Sequence, residues 1–168
     1  MGLTEQLASY GAYHRDPRNK RTHFIGVPLV VLSIFILLGW LRWTFSSSIS
    51  VSAAHLFFAA TSLYYFKTDL RLALTQLPAS LALLLVAERI SQLPWGSSLG
   101  IFLVTFLLGW FFQLLGHYYE GKRPALVDNF WQVFNAPLFL AAETLFSCGL
   151  YHKLKDRVEE ATRTNLPG

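Results

Sequence analysis

Cysteine, charge and glycine-rich motifs are what this chain has least of. A single cysteine, Cys148, among 168 residues excludes an internal disulfide and argues against a thiolate metal site. Only 14% of the residues are charged, against roughly 25% in an ordinary soluble domain. No Gly-rich nucleotide fingerprint is present, so nothing points to a nucleotide cofactor. The five histidines are too few for the histidine-rich ligation of a di-iron membrane desaturase. Linkers, internal repeats and low-complexity tracts are missing, and the length is about that of one domain.

Apolar residues are abundant, at 53% of the chain. They gather into runs at 24–41, 49–66, 72–87, 99–115 and 130–150. A membrane helix needs about 20 mostly apolar residues, within a range of about 17–25. Four of the runs reach or approach that length, and 72–87 is shorter and contains Gln76 and Pro78. The expected fold class is an all-α polytopic membrane bundle. It has four spans, then a broken or re-entrant C-terminal segment. Pro137 and Glu143 interrupt that segment, and a charge at mid-bilayer costs about 2.5–3.5 kcal/mol on insertion scales. The whole chain, 1–168, reads as one integral membrane domain. It divides into a ligand-bearing segment (1–23), a helical bundle (24–150) and a charged tail (151–168). No cleavable signal is evident, so the first span is expected to remain as an anchor.

Charge sets the expected topology. Arg15, Arg18, Lys20 and Arg21 precede the first span and place the N-terminus in the cytoplasm. Four spans then put Lys67 and Arg71, and later Lys122 and Arg123, on the same side, leaving only Arg42 and Arg89 outside. The formal charge of +4 therefore reads as membrane orientation, not as a nucleic-acid face. The membrane is the endoplasmic reticulum in a eukaryote or the inner membrane in a bacterium.

Two polar clusters fall on that cytoplasmic side. Asp16 and Pro17 form a helix-start signature, with His14 on the preceding loop and Asn19 and His23 one turn apart on the helix. Gln113, His117 and Glu120 share one helical face by their spacing of four and three. Each cluster alone also reads as a solvated helix end. Together they bring three of the five histidines and a carboxylate to one side, a donor set that suits iron, zinc or copper. His55 reads as a packed histidine in the middle of the second span, and His152 as solvated. Trp40, Trp43, Trp95 and Trp110 read as interfacial or packing aromatics.

The two clusters also carry a resemblance. His14, Asn19, His23, Gly26 and Pro28 form its first part. Trp110, Gln113, Gly116, His117, Glu120, Pro124, Ala125 and Leu126 form its second. The spacing resembles the fungal-type 2-hydroxy fatty acid dioxygenase family, and Ala136, Pro137, Leu138, Phe139 and Glu143 extend the likeness. It runs from about Tyr10 to Gly149. The resemblance implies an Fe(2+)-dependent α-oxidation that shortens a 2-hydroxy fatty acid by one carbon using O2. It implies His14, His23 and His117 as metal ligands, with Glu120 as a further ligand or a base. Glu120, Asn19 and Gln113 are the candidate catalytic residues. Lys20, Arg21, Lys122 and Arg123 are candidates to hold the substrate carboxylate at headgroup level. The expected partners are the 2-hydroxy fatty acid, O2 and the lipid bilayer.

Two other readings stand beside this one. A zinc-dependent membrane lipid hydrolase would use the same ligands without oxygen. A small transporter or lipid-binding scaffold would instead string Gln76, His55 and Glu143 along a pathway.

Overall fold

A computed structural model describes residues 2–46, 49–121 and 132–164. Among them the chain is a helical bundle with one small hairpin. The helices are α1 (Leu3–Gly11), α2 (Pro17–Gly39), α3 (Ala53–Thr68), α4 (Leu70–Ser91), α5 (Trp95–Glu120), α6 (Gln132–Ser147) and α7 (His152–Thr164). The strands β1 (Arg42–Thr44) and β2 (Ser50–Ser52) pair antiparallel, with Trp43 opposite Val51.

Helix α2 starts as the sequence dictates. The Asp16 carboxylate accepts the Arg18 backbone N–H at 2.8 Å, and Pro17 takes the first helical position, where a missing N–H costs nothing. Helices α2, α4 and α5 are each long and apolar enough to cross a membrane. Helix α4 qualifies although its apolar run reads short, because the helix continues through Pro78 to a full 22 residues. Helix α3 is shorter than its apolar run. Residues 50–52 pair in the hairpin, which leaves 16 residues of helix, about 24 Å at 1.5 Å per residue. The C-terminal segment bends, as expected, but not at Pro137 or Glu143, because α6 runs unbroken through both. The bend falls after Ser147, where Val133–Ser147 meets the charged-tail helix His152–Arg163 at 119°. Gly149 and Tyr151 take left-handed φ values of 70° and 62° at that corner, and the Tyr151 hydroxyl donates to Asp69 at 2.5 Å.

Lipid-facing surface is plain on α5. Leu103, Leu107, Phe111 and Leu114 are all exposed at spacings of four, four and three, an apolar stripe that water would not tolerate. The opposite face of α5 packs against α2 through small residues. A Cβ on Gly109 would sit 2.9 Å from the Val30 nitrogen, and one on Gly26 would sit 3.0 Å from the Gly109 carbonyl oxygen. Absent side chains let the two backbones close together, the usual device for joining helices in lipid.

Two buried clusters hold the ends of the bundle. One gathers Leu7, Tyr10, Leu72, Leu138, Phe139 and Leu154 beneath α1, α6 and α7. The other joins Phe35, Ile36, Ala54, Leu84 and Ala87 near the hairpin. At the hairpin end Glu88 accepts Arg42 Nη2 at 2.5 Å and also accepts the Ser52 hydroxyl. His55 lies here, not in mid-span. The late start of α3 puts it in the first turn, with its side chain 40% exposed.

Candidate metal centre

His14, His23 and His117 converge at the end of the bundle opposite the hairpin. Their ligand nitrogens all lie within 4.8 Å of one another, and all three residues are buried. Three separate segments deliver them. His14 comes from the α1–α2 corner, His23 from the second turn of α2, and His117 from the last turn of α5. The small-residue seam sets the approach. A Cβ on Gly116 would run into Asn19 Oδ1 and Thr22 Oγ1 and would lie 2.9 Å from His23 Nδ1. Only glycine lets α5 come close enough for His117 to join His23.

Hydrogen bonds fix the ring tautomers. His14 Nδ1 lies 2.7 Å from the Tyr10 carbonyl oxygen, and His23 Nδ1 lies 3.0 Å from that of Asn19. A carbonyl only accepts, so each Nδ1 carries the proton and each Nε2 of the neutral ring keeps its lone pair. Those two Nε2 atoms face each other at 3.0 Å. Two lone pairs at that distance repel unless a cation lies between them. Ligands about 2.1 Å from one ion and at right angles to each other are about 3.0 Å apart. His117 Nδ1 is buried with no hydrogen-bond partner, a third donor without another task. The donor set therefore fits a divalent metal, with imidazoles backed by carbonyl acceptors as metal-binding histidines usually are.

The surroundings keep the site neutral and rigid. The Tyr10 ring stacks on His14 with centroids 4.1 Å apart and planes 4° apart. Burial, reinforced by the neighbouring His23, pushes the His14 pKa from 6.5 down to about 3, so the ring is neutral and ready to ligate at neutral pH.

Glu120 lies beside this cluster and is occupied elsewhere. Its carboxylate accepts the backbone N–H groups of Arg15 at 2.9 Å and Asp16 at 2.8 Å, and the Asn19 amide at 3.0 Å. The Asn19 amide also donates to the Tyr13 carbonyl at 3.0 Å. These bonds tie the His14 loop to the end of α5. Gln113 is half-buried one turn before His117, at the α2–α5 contact.

The other candidates separate. Lys20 Nζ donates to Glu143 Oε1 at 2.7 Å, which brings α6 beside the site. Arg21 is exposed. Lys122 and Arg123 lie outside the described residues, as do Pro124, Ala125 and Leu126. Gln76, His55 and Glu143 do not form a line: Gln76 pairs with Ser80 within α4, and His55 and Glu143 lie at opposite ends of the bundle. Sequence reasoning assigned no role to Tyr10 or Tyr13, because it read residues 1–23 only as a ligand-bearing segment. The spacing of Leu3, Leu7 and Tyr10 was the available signal of a buried helical face.

The family model described as 2-hydroxy-palmitic acid dioxygenase Mpo1-like matches residues 2–148. The chain belongs to this family. The match takes in all three histidines, Asn19, Glu120 and the Lys20–Glu143 pair. Over 161 residues the chain is 34% identical to the 2-hydroxy-palmitic acid dioxygenase MPO1 of Saccharomyces cerevisiae (strain ATCC 204508 / S288c), covering 95% of this chain and 88% of that protein. No solved structure matches.

Proposed function

We propose that this chain is a membrane-bound, iron(II)-dependent dioxygenase. It converts a 2-hydroxy fatty acid and O2 to the one-carbon-shorter fatty acid, CO2 and water. The observation that carries the reading is the pair of unprotonated Nε2 atoms of His14 and His23 facing each other at 3.0 Å beside His117. Membership of the dioxygenase family supports the choice of reaction.

The reaction R–CH(OH)–COOH + O2 → R–COOH + CO2 + H2O balances with all four electrons coming from the substrate. It needs neither 2-oxoglutarate nor a nicotinamide. His14, His23 and His117 would hold the metal, and iron(II) bound by three protein ligands supplies redox chemistry with positions open to substrate and O2. Glu120 and Asn19 act as positioning residues, because their polar atoms hold the loop and helix that present the histidines. Lys20, with Arg15 nearby, supplies the positive charge that steers the substrate carboxylate. Burial of the three rings keeps bulk water from the reacting end.

The membrane reading extends to the whole chain as one domain, with the site on the cytoplasmic face. Arg15, the basic residues in the first turns of α2, and the Lys67 and Arg71 turn lie at the histidine end, which supports that orientation.

The test is an iron add-back. Protein purified in detergent is stripped of metal and given ferrous iron without oxygen. It then receives 2-hydroxyhexadecanoic acid and air. Pentadecanoic acid that depends on both iron and O2, and is lost in His117→Ala, supports the reading. Hydrolytic activity restored by zinc in the absence of O2 would replace it with the hydrolase.

A further inference from the structure

A cavity of about 470 Å³ lies directly against His14, within the roughly 300–1,000 Å³ typical of small-molecule sites. Its walls come from α1, the α1–α2 corner, the first turns of α2, α6 and α7. Leu7, Phe139, Ala142, Phe146 and Val158 make them largely apolar. The remainder is mostly polar or charged, with four basic side chains (Arg15, Lys20, Lys155, Arg163) against two acidic ones, Glu143 and Glu159, which pair with Lys20 at 2.7 Å and Lys155 at 3.9 Å and leave Arg15 and Arg163 in excess. Buried residues such as His14, Leu7 and Ala142 form the inner wall, and exposed Arg15, Glu159 and Arg163 form the rim. The cavity thus runs from the surface to a metal-ligand candidate, carries an apolar lining, and leans positive.

Between the two helices that bring His23 and His117 together, the seam at Gly26, Gly109 and Gly116 is closed so tightly that even an added Cβ would collide. An acyl chain cannot pass between α2 and α5 along that contact.

We propose that the cavity under α1, α6 and α7 is the binding pocket for the acyl substrate. The carboxylate end lies against His14 and Lys20, and the alkyl chain runs along Phe139 and Phe146 toward α7. The substrate is thus held in a cap at the end of the bundle and not between its membrane-spanning helices. The substrate class rests on the dioxygenase reading; the pocket itself is tested separately from it.

The probe is 2-hydroxyhexadecanoic acid bearing a diazirine at its alkyl end. The full chain in detergent, loaded with iron(II) and kept without oxygen, is irradiated with it, digested, and mapped by mass spectrometry. The expected result is saturable labelling of α1, α6 or α7, suppressed by excess unlabelled 2-hydroxyhexadecanoic acid. Thr162→Trp, which projects into the cavity from α7, should cut the labelling at least fivefold with iron content unchanged. Gly11→Ala is the milder companion, since its Cβ meets only Phe139 and Thr162 at 3.8 and 3.9 Å; it should cut labelling about twofold. Saturable labels confined to the lipid-facing surfaces of α2–α5, the absence of competable labelling, or labelling indifferent to both variants would overturn the pocket. Turnover by the same preparation is scored on its own. Cavity labelling without the shortened acid keeps the pocket and removes the dioxygenase reading. Shortened acid with labels elsewhere does the reverse.

Discussion

Glu120 Oε2 lies 2.8 Å from the Asp16 backbone nitrogen, so the last turn of α5 grips the loop that carries His14. One carboxylate thereby couples two segments that are remote in sequence. Its removal should loosen His14 without touching the histidines themselves. Glu120→Ala is expected to lower metal affinity by about 10–100-fold, the usual effect of losing an outer-shell partner. Glu120→Gln, which keeps one acceptor oxygen, should lose less. Metal content after dialysis against graded chelator measures both.

Gly116 offers a steric test. Alanine there would push against Asn19, Thr22 and His23. Overpacking of this kind costs about 1–3 kcal/mol, and here the displaced groups include His23, a proposed ligand. Gly116→Ala should lower both the thermal midpoint and the bound metal. Gly100→Ala, on the same helix but facing open space, should leave the bound metal unchanged and hold or raise the midpoint, since alanine favours helix over glycine.

Acid should weaken the metal-free fold in a defined window. In the unfolded chain His14 titrates near 6.5, whereas burial in the fold pushes it down to about 3. Between those values the unfolded state binds the extra proton. The His14 contribution to stability is therefore intact above pH 6.5, falls as the pH drops, and is fully lost below about 3. Thermal midpoints of stripped protein across that range should decline with falling pH. His14→Phe should flatten the decline.

The far end of the bundle allows stability to be separated from chemistry. Glu88 and Arg42 pair at 2.5 Å with side chains only 11% and 19% exposed. Breaking a fully buried pair costs about 3–5 kcal/mol, and the partial exposure here puts Glu88→Ala at or below the low end. The variant should melt earlier yet bind as much metal per folded molecule as wild type. A parallel loss of metal would show that the two ends are coupled.

Much of this was legible in the sequence because membrane helices and helix starts leave strong local marks. The apolar runs announced α2 and α5, and Asp16-Pro17 announced the start of α2. The spacing of Gln113, His117 and Glu120 gave one face of α5, and the C-terminal segment was expected to break, although it does so after Ser147 and not at Pro137 or Glu143, through which α6 runs unbroken. What was hidden depends on contacts remote in sequence. The hairpin at 42–52 shortened α3 and moved His55 to a helix end, since strand pairing competes with helix for the same apolar residues. The role of Glu120 in bracing a loop appears only once Arg15 and Asp16 are brought to it. Helix α7 was read as a charged tail because charged residues mask its apolar face. Leu154, Val158 and Ala161 repeat at four and three, as a buried face should.

The histidines stand 9 and 94 residues apart along the chain, at positions 14, 23 and 117. A ribosome makes them in that order, so the first two wait through the synthesis of three further helices before the third arrives. Until α5 has entered the membrane and closed its glycine seam on α2, the nascent protein offers a metal only two imidazoles. A metal held by all three rings, as proposed, would bind tightly only after that closure, and a chain that stalls or mispacks before it would hold the ion weakly.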